Sequence, residues 1–157
     1  MINLHNNTSS IHYNQDVYDS FNSFIFSKDR NIFNKMYSRI IFYEMTKHLH
    51  GDIIECGVFK GSGLLTWLKL LDIYEPRSIK KVVGFDFFDE SFVEELPDGI
   101  DKDTMKQVFR RVENLSKDDI SLNGVKSKIL TAGFSEDKFE LVQGDVSKTT
   151  IDFGNLS

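Results

Sequence analysis

The sequence is poor in residues that build disulfide or metal frameworks. Its 157 residues include one cysteine, Cys56, and four histidines. A single cysteine excludes an internal disulfide framework and suits a reducing compartment, so we expect a cytoplasmic protein. None of the histidines has a spacing typical of metal ligands, and we therefore predict no metal site in this chain.

Long apolar runs and clusters of basic residues are also missing. No apolar stretch approaches the ~20 residues that a membrane-spanning helix needs, and residues 1–16 lack the cationic and apolar regions of a secretory signal. The net charge is −5, and without a basic run a nucleic-acid backbone is not an expected partner. What is present is enough apolar material for a packed core, with 40% hydrophobic residues including 14 phenylalanines.

Two helices are predicted before the first strand. We expect residues 1–30 to form a polar tail and a short helix, because apolar residues recur there at helical intervals. A second helix is predicted from about Asn31 to Leu49. Asn31 is its predicted cap, and Gly51 its predicted stop.

Residues 53–86 are predicted to form a β-loop-α-β unit. A short apolar run, Ile53-Ile54, leads into Glu55-Cys56-Gly57, and a leucine-rich helical pattern then runs up to Pro76. The segment 81–86 is almost continuously apolar, as is typical of a parallel strand that is covered on both faces.

The rest of the chain adds one more strand and several helices. Helices are predicted from about Lys102 to Asn114 and from about Lys117 to Ala132, the latter stopped by Gly133. A third strand is predicted over 138–143, and the tail beyond Asp145 shows no clear element. More residues separate strands two and three than a crossover helix needs, so segment 87–116 is predicted to be an insertion over the site.

Three glycines follow the first strand with the spacing Gly57-x-x-x-Gly61-x-Gly63. Such a loop lets backbone N–H groups meet a ligand, and the next helix presents its N-terminus there. The spacing differs from the G-x-G-x-x-G of dinucleotide sites and from the G-x-x-x-x-G-K-[ST] of phosphate loops. Glu55, directly before the loop, would repel two phosphates and attract an ammonium group.

Two further acids are predicted at neighbouring strand ends, where open α/β sheets bind ligands. Asp86 closes the second strand, at a place where an acid accepts hydrogen bonds from ribose hydroxyls. Asp145 closes the third strand, where it can meet a purine edge. Three acids at three adjacent strand ends fit a nucleoside with a charged appendage.

The stretches GDIIECGVFKGSG, VVGFDFFDESFVEELPDG and FELVQGDV together resemble the class I S-adenosylmethionine (SAM)-dependent methyltransferases. More narrowly, they are similar to the macrocin O-methyltransferase family, which methylates sugar hydroxyls. The resemblance covers roughly residues 35–147. It implies SAM as cofactor and a sugar or glycoconjugate hydroxyl as acceptor.

The resemblance also implies a set of cofactor-binding residues. Glu55 and Gly57 would face the methionine end of SAM, and Asp86 would bind the ribose hydroxyls. Asp145 and Val146 would bind the adenine. The remaining predicted members are the loop residues Gly61, Ser62 and Gly63 and two neighbours of the acids, Cys56 and Phe87. Cys56 is expected to be a small buried side chain and not a nucleophile.

The implied fold is α/β: a Rossmann-like three-layer α/β/α arrangement with a partial parallel sheet of strand order 3-2-1 and N-terminal helices. Residues 31–157 would form the N-terminal half of the methyltransferase domain. Relatives continue with a fourth strand that carries metal and catalytic positions, so Mg²⁺ would belong to full-length relatives and its ligands are not expected here. We therefore expect a truncated chain, or one that pairs its exposed sheet edge with another chain, including a second copy.

Other interpretations stay open at the level of sequence. The chain could be a non-catalytic nucleoside-binding or interaction module, or a fragment of an NAD-dependent oxidoreductase. The glycine loop could be a tight turn, Asp86 a helix cap or a loop acid, and Asp145 part of an ordinary Gly-Asp turn. Arg39 is expected to be a packing or surface residue rather than a cofactor contact.

Overall fold

The computed structural model describes residues 11–110 and 116–153. The chain divides into two compact units, residues 1–38 and residues 39–157. The elements, in chain order, are α1 (Ile11–Phe26), α2 (Arg30–Thr46), β1 (Ile53–Cys56), α3 (Ser62–Tyr74), β2 (Val82–Asp86), α4 (Phe92–Glu95), α5 (Ile100–Arg110), α6 (Lys117–Ile120), α7 (Leu122–Thr131), a 3-10 turn (Glu136–Lys138), β3 (Phe139–Gln143) and α8 (Val146–Phe153).

The first unit contains α1 and the start of α2. The rings of Phe24 and Phe33 stack there with centroids 6.2 Å apart. The cap of α2 is Asp29, whose Oδ1 accepts hydrogen bonds from the N–H groups of Asn31 (2.8 Å) and Ile32 (3.1 Å). The prediction of Asn31 as the cap is therefore wrong: Asp29 directly precedes the helix, and its carboxylate reaches the second and third helical N–H groups.

The second unit is built on a parallel sheet with β2 in the centre, in the order β1-β2-β3. Ile53 pairs with Val82 in one ladder, and Val82 pairs with Phe139 in the other. Read from the opposite edge, this is the predicted order 3-2-1, which is confirmed. Within the described residues β1 pairs on one side only, so the pairing of its free edge with another chain stays a prediction.

The core of this unit lies where α3 covers the sheet. Leu64 and Leu68 on α3 are almost fully buried, as are Val82 and Phe85 on β2. Gly84 lies between Val82 and Phe85 on β2. A Cβ atom at this position would clash with Leu64 and Val58. The glycine therefore lets α3 and the loop before it approach the sheet closely.

The single helix predicted over 117–132 is in fact two helices. Ser116 accepts a hydrogen bond from the N–H of Asp118 and caps α6, and Ser121 accepts one from the N–H of Gly124 and caps α7. Ser121 has extended backbone angles, so it breaks the helical path between them. Gly133 ends α7 with a φ of +94°, as predicted.

The segment predicted as an insertion contains α4 and α5, and the predicted helix end at Asn114 lies outside the described residues. The prediction of no element after Asp145 is wrong, because α8 begins at Val146. Asp145 favours this helix through its Oδ1, which accepts a hydrogen bond from the Ser147 N–H (2.9 Å). Within 11–110 and 116–153, no helix combines the length and apolarity needed to cross a membrane.

Candidate functional site

The glycine loop adopts a backbone path that ordinary residues rarely follow. Gly57 and Gly61 have φ angles of +85° and +88°, and Phe59 between them has a φ of +51°. The Gly57 N–H donates to the carbonyl of Phe85 at 2.8 Å, which continues the β1-β2 ladder into the loop. The loop thus leaves the sheet under fixed hydrogen bonding and turns sharply into α3.

Asp86, at the end of β2, ties the loop to the next strand. Its Oδ2 accepts a hydrogen bond from the Phe59 N–H (2.8 Å), and its Oδ1 accepts one from the Phe88 N–H (3.1 Å). An ionised carboxylate offers about four acceptor sites, so these two bonds leave capacity for further donors. Asp86 therefore orders the loop and can still accept hydrogen bonds from a ligand.

Glu55 is held by Arg39, a residue that the sequence predicts to be a packing or surface residue. Arg39 Nη2 donates to Glu55 Oε1 at 2.5 Å, and the side chains are 24% and 10% exposed. The other carboxylate oxygen, Oε2, is buried and accepts no hydrogen bond from the described residues. A buried acceptor without a partner is costly, and it marks a place where a ligand can donate a hydrogen bond.

Gly63 creates the room in which this ion pair lies. A Cβ atom there would overlap both Glu55 Oε1 and Arg39 Nη2. Gly61, the N-cap of α3, gives the helix no side-chain cap. The first N–H groups of α3 therefore carry a partial positive charge beside a buried acid, which suits a group bearing both charge signs.

A cavity of about 490 Å³ opens at the carboxyl ends of the strands. Two of its rings, Phe87 and Phe92, stack face to face with centroids 4.2 Å apart. The walls are mainly apolar and aromatic, which is typical of sites for flat organic ligands. The cavity is lined by Cys56, Gly57, Phe59, Phe85, Asp86, Phe87, Phe92, Met105, Val108, Gly144 and Val146.

Some of the predicted site residues line this cavity and others do not. Those that line the cavity are Cys56, Gly57, Asp86, Phe87 and Val146; those that do not are Glu55, Gly61, Ser62, Gly63 and Asp145. Cys56 is exposed, and the expectation that it is buried is wrong. The reason is that burial alternates from one residue to the next along β1, and Cys56 lies on its more exposed face.

Segment 87–116, predicted as an insertion over the site, contributes cavity-lining side chains that were not among the predicted site residues. Phe92 on α4 and Met105 and Val108 on α5 all face the cavity. In the helix predicted from about Lys102, Met105 and Val108 fall on one side at helical spacing. What the pattern alone does not give is the surface against which that side packs.

Asp145 has a local partner of its own. Its Oδ1 accepts hydrogen bonds from the N–H and the hydroxyl of Ser147, at 2.9 and 2.7 Å. These bonds hold the pKa of Asp145 below its usual range. An adenine contact for this acid stays a prediction.

A second cavity, of about 570 Å³, lies against α4 and α5 and is lined mainly by charged side chains. Two of its lysines are paired there, Lys106 with Glu94 at 3.5 Å and Lys117 with Glu90 at 3.2 Å. It contains no part of the glycine loop, whereas Gly57 and Phe59 of that loop line the first cavity together with Asp86, so the first cavity is the better candidate site. In 11–110 and 116–153, no three His, Cys, Asp or Glu residues cluster as metal ligands would.

No protein-family model and no curated protein sequence matches this chain. Among solved structures, it is similar to the crystal structure of CalS11, calicheamicin methyltransferase. The TM-score is 0.61 at 21% identity, covering 95% of this chain and 57% of that chain. It is also similar to an apo structure of CalS11 described as TDP-rhamnose 3′-O-methyltransferase, an enzyme in calicheamicin biosynthesis. There the TM-score is 0.55 at 22% identity, covering 96% of this chain and 56% of that chain.

These likenesses are at the level of fold. The chain has a Rossmann-like α/β fold of the kind found in methyltransferases, with the parallel sheet and covering helices described above. It spans little more than half the length of the solved structures that it matches.

Proposed function

We propose that this chain is the cofactor-binding part of a SAM-dependent O-methyltransferase that acts on a sugar hydroxyl. The observation that carries the proposal is the buried, unpartnered Oε2 of Glu55 beside the uncapped start of α3. Together they offer an acceptor for an ammonium group and donors for a carboxylate. The methionine end of SAM has both groups.

The cavity at the carboxyl ends of the strands suits the remainder of the cofactor. Asp86 keeps acceptor capacity for ribose hydroxyls beyond its bonds to Phe59 and Phe88. The aromatic wall around Phe87 and Phe92 offers flat surfaces for an adenine ring. A volume of about 490 Å³ is within the range of small-ligand sites.

When bound, SAM supplies an electrophilic methyl group to the acceptor oxygen. In this proposal the chain's own residues bind the cofactor and orient it. Glu55 and the start of α3 fix one end of the cofactor, and Asp86 fixes the middle. Orientation of this kind contributes to catalysis by holding the reacting atoms in line.

The sugar acceptor rests on two supports of unequal kind. One is the resemblance of residues 35–147 to sugar O-methyltransferases. The other is the fold likeness to a protein described as a TDP-rhamnose 3′-O-methyltransferase. That likeness covers 56% of the neighbour, and a direct assay of methyl transfer tests the acceptor.

Calorimetric titration of the purified chain with S-adenosylhomocysteine (SAH) and with NAD tests the cofactor. We expect saturable SAH binding with a Kd on the order of 10 μM and no saturable NAD binding. Binding of NAD in place of SAH would favour an oxidoreductase fragment. Absence of binding by either ligand would contradict the proposal.

Transfer of a labelled methyl group from SAM to TDP-rhamnose, followed by chromatography, tests the acceptor separately. Labelled TDP-sugar would support a nucleotide-linked sugar as substrate. A chain that binds SAH but labels no sugar would retain the cofactor assignment and lose the claim of activity for this chain.

A further inference from the structure

Arg39 is fixed between two elements of the second unit. Its guanidinium donates to Glu55 Oε1 at 2.5 Å and lies 5.8 Å from the centre of the Trp67 ring on α3. A planar guanidinium that bonds a carboxylate and contacts an aromatic ring has little freedom to turn. The arginine therefore holds the Glu55 carboxylate in one orientation.

In that orientation the two carboxylate oxygens of Glu55 have different environments. Oε1 is engaged by Arg39, whereas Oε2 is buried and accepts no bond from the described residues. Without Arg39, the same carboxylate would be free to rotate within the space beside Gly63.

We propose that Arg39 is a positioning residue that makes the site selective for ligands with an amino-acid end. It acts through Glu55, by keeping Oε2 available for the ligand's ammonium group. This inference rests on the proposed function, because it assumes that SAM or SAH binds at the carboxyl ends of the strands with its amino-acid end at Glu55. A purely structural Arg39 would affect stability and would weaken all nucleoside ligands to the same degree.

Two ligands separate these roles. SAH carries the amino-acid end, whereas 5′-methylthioadenosine keeps the adenosine and the thioether but lacks that end. In Arg39→Gln we expect the affinity for SAH to fall about 30-fold, as when one partner of a desolvated charge pair is removed. The affinity for 5′-methylthioadenosine should stay unchanged.

Three further variants complete the experiment. Arg39→Lys keeps the charge but loses the planar fork, so it should recover part of the SAH affinity. Glu55→Gln should reproduce the selective loss of SAH. Arg77→Gln, at an exposed arginine after α3, is the matched control and should bind both ligands as the unaltered chain does.

The outcomes are distinguishable. If the unaltered chain does not bind SAH, the proposed function fails and this inference fails with it. If it binds SAH but Arg39→Gln weakens both ligands equally, or neither, the positioning role is wrong while the cofactor assignment stands. Thermal unfolding of each variant checks folding, and Arg39→Lys supplies the result if Arg39→Gln does not fold.

Discussion

The two ends of the sheet differ in how their polar groups are satisfied by hydrogen bonds. At the amino ends of the strands, polar groups are paired at ordinary distances. These pairs are the Lys81 N–H with Asp52 at 2.8 Å, the Tyr43 hydroxyl with Glu75 at 2.7 Å, Lys80 with the Lys47 carbonyl at 3.0 Å, and Lys138 with the Ser78 carbonyl at 2.8 Å. At the carboxyl ends the loop has positive φ angles, and Glu55 Oε2 is buried without a described partner.

The difference teaches where stability and binding reside in this fold. Satisfied hydrogen bonds at the amino ends tie the C-terminal parts of α2 and α3 and the segments that lead into the strands to one another. Strain and an unmet acceptor at the carboxyl ends cost stability unless a ligand supplies what is missing. Substitutions at the carboxyl ends of the strands should therefore change ligand affinity. Substitutions at the amino ends should change stability alone.

The largest effect is expected from Asp86→Ala, at the carboxyl ends. It removes the acceptor of the Phe59 and Phe88 N–H groups together with the proposed ribose contact. We expect the SAH affinity, measured by calorimetry, to fall about 100-fold. Asp86→Asn keeps one acceptor oxygen, so its SAH affinity should lie between those of the unaltered chain and Asp86→Ala. Unchanged affinity in Asp86→Ala would mean that this acid serves the loop only.

Gly63→Ala should separate ion-pair geometry from glycine flexibility. The added methyl group displaces Glu55 and Arg39 from each other, and we expect a loss of about 2 kcal/mol in the free energy of unfolding with weaker SAH binding. Urea denaturation and calorimetry measure the two effects. The matched control is Gly133→Ala, where φ is +94° and no atom lies within 4 Å of the new Cβ. It should cost about 1 kcal/mol and leave SAH affinity intact; equal ligand effects in both variants would refute the ion-pair explanation.

Tyr43→Phe tests the amino ends. Tyr43 is 2% exposed, and its hydroxyl donates to Glu75 Oε1 at 2.7 Å. Removing the hydroxyl should lower the free energy of unfolding by about 1 kcal/mol in urea denaturation. SAH affinity should not change, because this pair lies away from the cavity. A loss of affinity here would show that the two ends are coupled.

The smallest expected effect is a pH dependence of the difference in free energy of unfolding between the unaltered chain and Tyr43→Phe. The Tyr43 hydroxyl, and after it Lys80, lowers the pKa of Glu75. A folded pKa below the unfolded value gives stability that is present above about 4.3 and lost as the pH falls through the folded value. The stability gap between the unaltered chain and Tyr43→Phe should thus be constant from neutral pH down to about 5 and narrow below about 4. Urea denaturation across this range measures it; a gap that widens in acid would contradict the assignment.

The sheet was predictable because its signal is local. The continuous apolar run over β2 and the glycine spacing after β1 each follow from a few neighbouring residues, and the strand order follows from their parallel connection. The break at Ser121 was not predicted, because the apolar pattern continues across it and a serine cap overrides the periodicity. The cap at Asp29 was missed for a similar reason, since two polar residues near a helix start compete for one role.

The site was predictable in its residues but less so in their partners. Glu55 and Asp86 follow from their places at strand ends. The pairing of Glu55 with Arg39 joins residues 16 positions apart through tertiary packing, which no local pattern reveals. Asp145 shows the converse case, in which a residue predicted for a ligand also has a local partner, Ser147.

Cys56 gives the candidate site a chemical reporter. It is the sole cysteine of the sequence, it is exposed, and it lines the cavity. A thiol reagent therefore modifies one place in the molecule, at the wall that a ligand would cover. The rate of alkylation then measures occupancy of the cavity without any acceptor and without turnover, in an unaltered chain.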